Sequence, residues 1–408
     1  MEREGLDPED ADDAKNTAAE IAPPAKSPRP RRSPSASAPA PIITLPDRVR
    51  RSVQGLGPDG RAWLAALPGI VGELREAWSL SLGAVLGGGN FAYVARVRTA
   101  DGTDAVLKVA FPSPGFGEQV DTLIRAAGRG YVRLYDSDPL RHAMLLEPLG
   151  HSLATAEASV ERSLDVLAAT LRAAWQVPRP PQPAALITPA DSTAPAMPPT
   201  GTSTSTSTST STDADADGNG NTNAGSTGTG TADATGTADA TAATPTDKAT
   251  ALITFIDKLW PTLNNPCSPN LITHARTLAE RRITASNPAN HVLCHGDPHP
   301  DNALSVPSPR PGAETGYVFV DPETFLGDPA YDLGVVMRGW TDHILQSDNP
   351  IALARSWSAR LADATGLDPE PIWEWALIER VTTGLYLLSL GHGLLGREYL
   401  DSAELLVP

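Results

Sequence analysis

The feature that most limits what this 408-residue chain can fold into is a low-complexity block over residues 178–247, an alternating Ser-Thr tract followed by a Thr-Ala-Asp-Gly repeat. A segment of that composition buries too little apolar surface to offset the entropy of ordering it, so it reads as a flexible, solvated insertion between two helices. The alternation offers no apolar face to stack, so it is not a structural repeat. Residues 1–41, rich in Pro, Ala, Ser and Asp with a basic knot at Arg29, Arg31 and Arg32, read as a disordered tail. What remains is nearer one large or bilobal domain than the two or three that length alone allows.

Within that remainder, residues 42–80 have helical spacing of apolar residues. Short strand patterns follow at 80–86, 93–98 and 105–111, the last two flanking Asp101-Gly102, a strong hairpin signal. Val120, Leu123, Ile124 and Ala127 predict one amphipathic helix, and strand-like runs at 131–135 and 143–147 come next, separated by the turn residues DSDP. After Gly150 the pattern turns helical, at 152–175, 249–260 and 269–283 and again from Ala330, Ile351 and Pro369. A hairpin at 303–306 and 317–320 interrupts it, with a Pro- and Gly-rich loop between its strands that is expected to be solvated. A small mixed lobe (42–150) followed by a helical lobe (151–408) suggests a cleft between them.

Bulk properties exclude several functions. The net charge of −16 argues against a nucleic-acid surface, which needs clustered Lys and Arg, and favours a cationic partner. Cys267 and Cys294 are too few for a disulfide framework and lack zinc-site spacing, as expected of a reducing compartment. The acidic start, MEREGLDPED, is the reverse of a signal peptide, and the most apolar stretch, 385–395, is too short for a bilayer; a cytoplasmic protein, a monomer with no membrane partner, is expected.

The chemistry is carried by 291–334, HVLCHGDPHPDNALSVPSPRPGAETGYVFVDPETFLGDPAYDLG. Asp297 is followed five residues later by Asn302 on a tight loop, and Asp321 ends the apolar strand YVFV. Phosphoryl transfer needs a carboxylate to orient a hydroxyl and accept its proton, and oxygen ligands for a magnesium ion on the phosphates; this set can supply both. Capping of turns explains any one of these residues but not all of them together. A zinc site built from His295, His299 and nearby carboxylates is the competing reading.

The pattern H-G-D-x-H-x-x-N, a strand ending in Asp, then G-D-P-x-Y-D-L resembles the aminoglycoside phosphotransferase family, relatives of protein kinases. It has Gly296 where protein kinases carry Arg, and Asp321-Pro-Glu in place of Asp-Phe-Gly. The resemblance implies an α+β, bilobal protein-kinase-like fold with a small β-sheet N-lobe and a mainly helical C-lobe, using ATP and Mg2+. It makes Asp297 the catalytic base, Asn302 and Asp321 the metal ligands, and His295 and Asp332 braces of the catalytic loop. Lys108, in AVLKVAF and flanked by Val106, Leu107, Val109 and Ala110, becomes the lysine that grips the α- and β-phosphates, with Glu118 as its ion-pair partner and Asp121 as the fallback. Gly88, Gly89 and Asn90 fall where a glycine-rich loop covers the phosphates, and Glu147 falls at the lobe connection, where main-chain groups meet the adenine.

Residues 45–83 and 98–112 are similar to the streptomycin 6-phosphotransferase and hydroxyurea-resistance kinase branch of the family. This implies a small-molecule hydroxyl acceptor, cationic if it is streptomycin, for which Asp328, Asp342, Glu374 and Glu379 are candidate contacts. Hydroxyurea or another metabolite alcohol is the alternative acceptor. A non-catalytic nucleotide-binding pseudokinase is the alternative of another class, and the presence of Lys108, Asp297, Asn302 and Asp321 together speaks against it.

Overall fold

The computed structural model describes residues 43–87, 89, 91–156, 158–179 and 245–407. The helical stretch at the start is two helices, α1 (Asp47–Gly55) and α2 (Pro58–Ala77). Gly57, at φ +77°, separates them, and Pro58 opens α2 where its missing N–H leaves no bond unmade. Then come β1 (Ser81–Val85), β2 (Ala92–Arg98), β3 (Asp104–Ala110), α3 (Phe116–Ala126), β4 (Leu134–Asp138) and β5 (Ala143–Leu146). The strands form one antiparallel sheet in the order β1-β2-β3-β5-β4.

Strand alternation divides the core of this lobe. Ala105, Leu107 and Val109 of β3 pack with Val49, Trp63, Leu67 and Leu74, so α1 and α2 cover the outer face of the sheet. Val106 packs with Phe116, Val120 and Leu123 of α3 on the inner face. Lys108 shares that inner face and is only 8% exposed.

The fourth strand starts three residues later than the sequence suggested and takes in three of the four residues read as a turn, Asp136 to Asp138. Tyr131 and Val132 are apolar and buried as expected of a strand, but they face the other lobe: Val132 N–H donates to Phe319 O at 2.9 Å, and Phe319 N–H to Gly130 O at 2.8 Å.

The larger lobe holds α4 (Val160–Ala174), α5 (Pro245–Thr262), α6 (Pro269–Ala285), β6 (Val292–Cys294), β7 (Ala303–Ser305), β8 (Tyr317–Phe319), β9 (Phe325–Gly327), α7 (Pro329–Met337), α8 (Thr341–Leu345), α9 (Pro350–Thr365), α10 (Pro369–Ser389) and α11 (Gly393–Glu404). Helix α10 is buried on nearly every side and forms the lobe's centre, as expected of a helix whose apolar residues are not confined to one stripe. The β6–β9 pair was not anticipated; strands of three residues are too short to show a period. Among the described residues, no helix is long and apolar enough to cross a membrane.

The β7–β8 loop is not simply solvated. Its Arg310 is buried at the lobe junction, donating to Glu147 Oε2 at 3.1 Å, Gly128 O at 2.6 Å and Tyr131 O at 3.1 Å, and forming an ion pair with Glu147 Oε1. Gly130 N–H donates to Gly312 O at 2.7 Å in the same loop.

Candidate active site

Hairpin register builds the centre of the cleft. Ala303 opposes Phe319 across β7 and β8, so the residues just outside, Asn302 and Val320, also meet, and Val320 N–H donates to Asn302 O at 2.9 Å. Asn302 therefore stands beside Asp321, which leaves the strand in the left-handed region at φ +55°. Asp321 Oδ1 forms an ion pair with Lys108 Nζ from the opposite lobe. The Asn302 amide nitrogen donates to Asp297 O at 2.9 Å and lies 3.4 Å from Asp297 Oδ2. Lys108, Asp321, Asn302 and Asp297 are thus brought into one cleft by successive contacts.

The loop carrying Asp297 is braced from α7. Asp332 Oδ2 accepts from His295 N–H and Trp175 Nε1–H at 2.9 and 2.8 Å, and Oδ1 accepts from Gly296 N–H at 2.9 Å. Burial nonetheless raises its pKa, to about 6, against the lowering effect of these donors. His295 Nδ1 accepts from Asp297 N–H at 3.1 Å, so Nε2 carries the proton and donates to Val320 O at 3.0 Å. Burial lowers the His295 pKa to about 4, which keeps the ring neutral. With both ring nitrogens engaged, His295 is not a metal ligand, and no group of three or more His, Cys, Asp or Glu able to hold a metal occurs among the described residues. The zinc reading is corrected on that ground.

Gly296 has its own reason to lack a side chain. It sits at φ +88°, and a Cβ there would lie 2.1 Å from Glu323 O. Glu323 N–H donates to His295 O at 2.8 Å, so the Asp297 loop and the Asp321-Pro-Glu323 turn are clasped backbone to backbone. Burial, followed by the charge of Asp297, pushes the Glu323 carboxyl pKa up.

Burial also acts to raise the Asp297 pKa, but the His299 hydrogen bond and the Arg338 guanidinium outweigh it and hold the carboxyl well below the usual range. Arg338, at the C-terminal end of α7, forms an ion pair with Asp297 Oδ1, and His299 Nε2 lies 3.3 Å from Oδ2.

Several sequence expectations need correction. Glu118 is exposed and is not the partner of Lys108; Asp121, the fallback, pairs instead with Arg125 at 2.6 Å. The cause is helix phase: α3 buries Phe116, Val120 and Leu123, and Glu118, two residues after Phe116, points away from that face. The α3 residue that does reach the site is Thr122, whose hydroxyl donates to Thr324 Oγ1 at 2.9 Å. Glu147 lies at the lobe connection, but its amide donates to Arg133 O at 3.0 Å and its carboxylate holds Arg310 and accepts from Arg133 N–H, so both serve the junction.

Among the expected acceptor contacts, Asp328 caps α7 and accepts from Trp375 Nε1–H, while Glu374 is buried against Arg281 and Arg282. Glu379 is bound to Tyr331 and Arg338, and Asp342 is exposed on α8. Gly89, at φ +74°, stands in the β1–β2 connection with open space around it; Gly88 and Asn90 lie outside the described residues.

Residues 84–376 match the phosphotransferase enzyme family, APH. The chain belongs to this family. The phosphotransferase match reaches into both lobes and takes in every expected site residue except Glu379. A stretch of 142 residues, 34% of the chain, is 36% identical to streptomycin 6-kinase of Streptomyces glaucescens and covers 46% of that protein. Another of 109 residues, 26% of the chain, is 34% identical to hydroxyurea phosphotransferase of Kitasatospora aureofaciens and covers 32% of it. The chain thus spans about half the length of these curated relatives, or less. Among solved structures, choline kinase LicA of Streptococcus pneumoniae superposes over 83% of this chain and 98% of its own, at 13% identity and a TM-score of 0.48.

Proposed function

We propose that this phosphotransferase moves the γ-phosphate of ATP to a hydroxyl of an aminoglycoside-type antibiotic, most specifically the 6-hydroxyl of streptomycin, and so confers resistance to it. The observation that carries the reading is the contact chain Lys108–Asp321 and Asn302–Asp297 across the cleft. Asp297, ionised under all physiological conditions, orients the acceptor hydroxyl and takes its proton as the bond to phosphorus forms. Lys108 binds the α- and β-phosphates, Gly88, Gly89 and Asn90 cover them, and the Glu147 carbonyl with its neighbouring main chain meets the adenine.

Asn302 and Asp321 fit a magnesium ion. Both offer hard oxygen donors, and the Asn302 amide oxygen accepts no hydrogen bond from the described residues because the amide nitrogen is the atom turned to Asp297. Bound there, Mg2+ supplies charge neutralisation for the phosphates. His295 and Asp332 act only by holding the loop that carries Asp297.

The streptomycin assignment rests on the similarity to streptomycin 6-kinase. Asp297 and Glu323 set two neighbouring carboxyls in the cleft, with the Glu323 pKa raised by burial and by Asp297, and a guanidinium-bearing sugar would relieve that repulsion. Hydroxyurea is the second reading, favoured by the match to hydroxyurea phosphotransferase. The reading includes a cytoplasmic location, which use of ATP fits, and a monomer. The test is ADP release by purified protein with Mg-ATP and, in separate reactions, streptomycin, hydroxyurea and other aminoglycosides. Streptomycin is expected to gain one phosphoryl group by mass; no ADP release with any acceptor overturns the assignment.

A further inference from the structure

Arg338 carries no motif, yet its guanidinium forms an ion pair with the Asp297 side chain. Its backbone ends α7, with N–H donating to Gly334 O and Val335 O at 3.1 and 3.2 Å, so the Cα is fixed by a buried helix. Its side chain, 18% exposed, lies between two carboxylates. One terminal nitrogen forms an ion pair with Asp297 Oδ1, and the other lies 3.2 Å from Glu379 Oε2. Glu379, on α10 and 6% exposed at its side chain, accepts in turn from Tyr331 O–H at 2.7 Å. Tyr331 is set edge-on against both Trp375 and Phe325, with ring centroids 5.1 and 5.0 Å away.

A guanidinium is a planar fork, so fixing one nitrogen through Glu379 also fixes the direction of the other. The two oxygens of Asp297 are consequently unequal. Oδ1 is tied by a charge-assisted bond, whereas among the described residues Oδ2 has only His299 Nε2 at 3.3 Å and Asn302 Nδ2 at 3.4 Å, both longer than an ideal hydrogen bond. Arg380 nearby shows what a purely structural arginine looks like in this lobe. It is fully buried, and its hydrogen bonds go to neutral acceptors, Thr341 Oγ1, Ser402 Oγ, Met337 O and Gly339 O.

We propose that Arg338, held by Glu379 and Tyr331, is a positioning residue for phosphoryl transfer: it locks the Asp297 carboxylate in one rotamer and leaves Oδ2 as the oxygen that receives the acceptor's proton. The inference rests on the assignment of Asp297 as the base. It makes α7 and α10 part of the catalytic apparatus, because both ends of the chain Tyr331–Glu379–Arg338–Asp297 must be in place for the carboxylate to point correctly.

The experiment compares Arg338→Met, Arg338→Lys and Glu379→Gln with the unaltered full chain and with Asp297→Ala. Turnover is read with Mg-ATP and streptomycin and, in parallel, as hydrolysis of ATP alone, in which water takes the acceptor's place; nucleotide affinity is read by calorimetry. Arg338→Met is expected to lower kcat about 100-fold while KM and Kd for ATP stay within about twofold, since a misdirected base costs rate and not nucleotide binding. Arg338→Lys, which restores the charge without the fork, recovers about tenfold of that loss, and Glu379→Gln lowers kcat about tenfold.

A kcat for Arg338→Met within about threefold of the unaltered chain overturns the proposal, as does a Lys variant no better than Met, or a loss of ATP affinity equal to the loss of kcat. If Arg338→Met fails to fold, the near-isosteric Lys and Gln variants carry the same comparison. Retention of turnover by Asp297→Ala refutes the assignment of the base itself. Its loss there with normal Arg338 variants refutes only the positioning role.

Discussion

Replacing Gly296 by Ala tests the clasp between the catalytic loop and the Asp321 turn. The new Cβ would lie 2.1 Å from Glu323 O and 2.9 Å from Glu323 C, so those atoms must move apart by about 1 Å to reach the tightest contacts a real Cβ makes. Three costs follow. A non-glycine residue at φ +88° costs about 1–2 kcal/mol. Overpacking against backbone costs about 1–3 kcal/mol. Lengthening the 2.8 Å bond from Glu323 N–H to His295 O costs about 1 kcal/mol. Together they come to about 3–6 kcal/mol, with the Asp321 turn displaced from Asp297; a shift of that size lowers turnover about 100-fold.

Gly102→Ala is the control, because Gly102 has φ +86° with nothing within 4 Å of its Cβ position, and so incurs the conformational cost alone. Urea unfolding and steady-state ADP release on both variants read the two effects. Gly296→Ala within about 1 kcal/mol of Gly102→Ala, with turnover within about threefold of the unaltered chain, refutes the clasp.

The remaining predictions concern the supports around it. Arg310→Ala leaves the buried Glu147 carboxylate without its counter-charge at the lobe junction, with only the Arg133 N–H bond remaining among the described residues, and is expected to cost about 3 kcal/mol in urea unfolding, with a raised KM for ATP. Trp175→Phe deletes one donor to Asp332 and is expected to cost about 1–3 kcal/mol by the same assay. His295 is neutral when folded, with a pKa of about 4 against 6.5 unfolded; its contribution is complete above pH 6.5 and lost as pH falls to 4. The chain should therefore lose about 3 kcal/mol over that window that a His295→Asn variant does not lose. Chelation of divalent cations should abolish turnover and added magnesium restore it, with the fold unchanged by circular dichroism.

The placement of the central residues was legible because they are close in sequence and their spacing fixes their geometry. The interval between Asp297 and Asn302 forms one tight loop, and hairpin register then decides that Asn302 meets the residue before Asp321. Lys108 was placed by the family resemblance and its apolar neighbours; its face was not legible, because Val106, Leu107, Val109 and Ala110 are apolar on both sides, and only packing puts Lys108 with Val106 on the α3 side. Glu118 was misplaced because nearness to a helix start does not give a helix face; counting from Phe116 would have turned it outward.

Asp328 could have been read as a cap from the proline that follows it, a usual start for a helix. Arg310 and Arg338 left no such trace. The first sits in a Pro- and Gly-rich loop and the second after a continuous apolar run, and each is defined by partners up to 182 residues away in the chain. Charge pairs of that kind are products of tertiary packing, and no local period announces them.

The account depends most on Asp297 acting as a base and not as a structural anchor. Its most direct test is the turnover of Asp297→Asn with Mg-ATP and streptomycin, measured beside the affinity of the same variant for ATP. The side chain keeps its shape, so the account predicts unchanged nucleotide binding with kcat reduced at least about 1000-fold. Turnover within about tenfold of the unaltered chain, at full nucleotide occupancy, would contradict it.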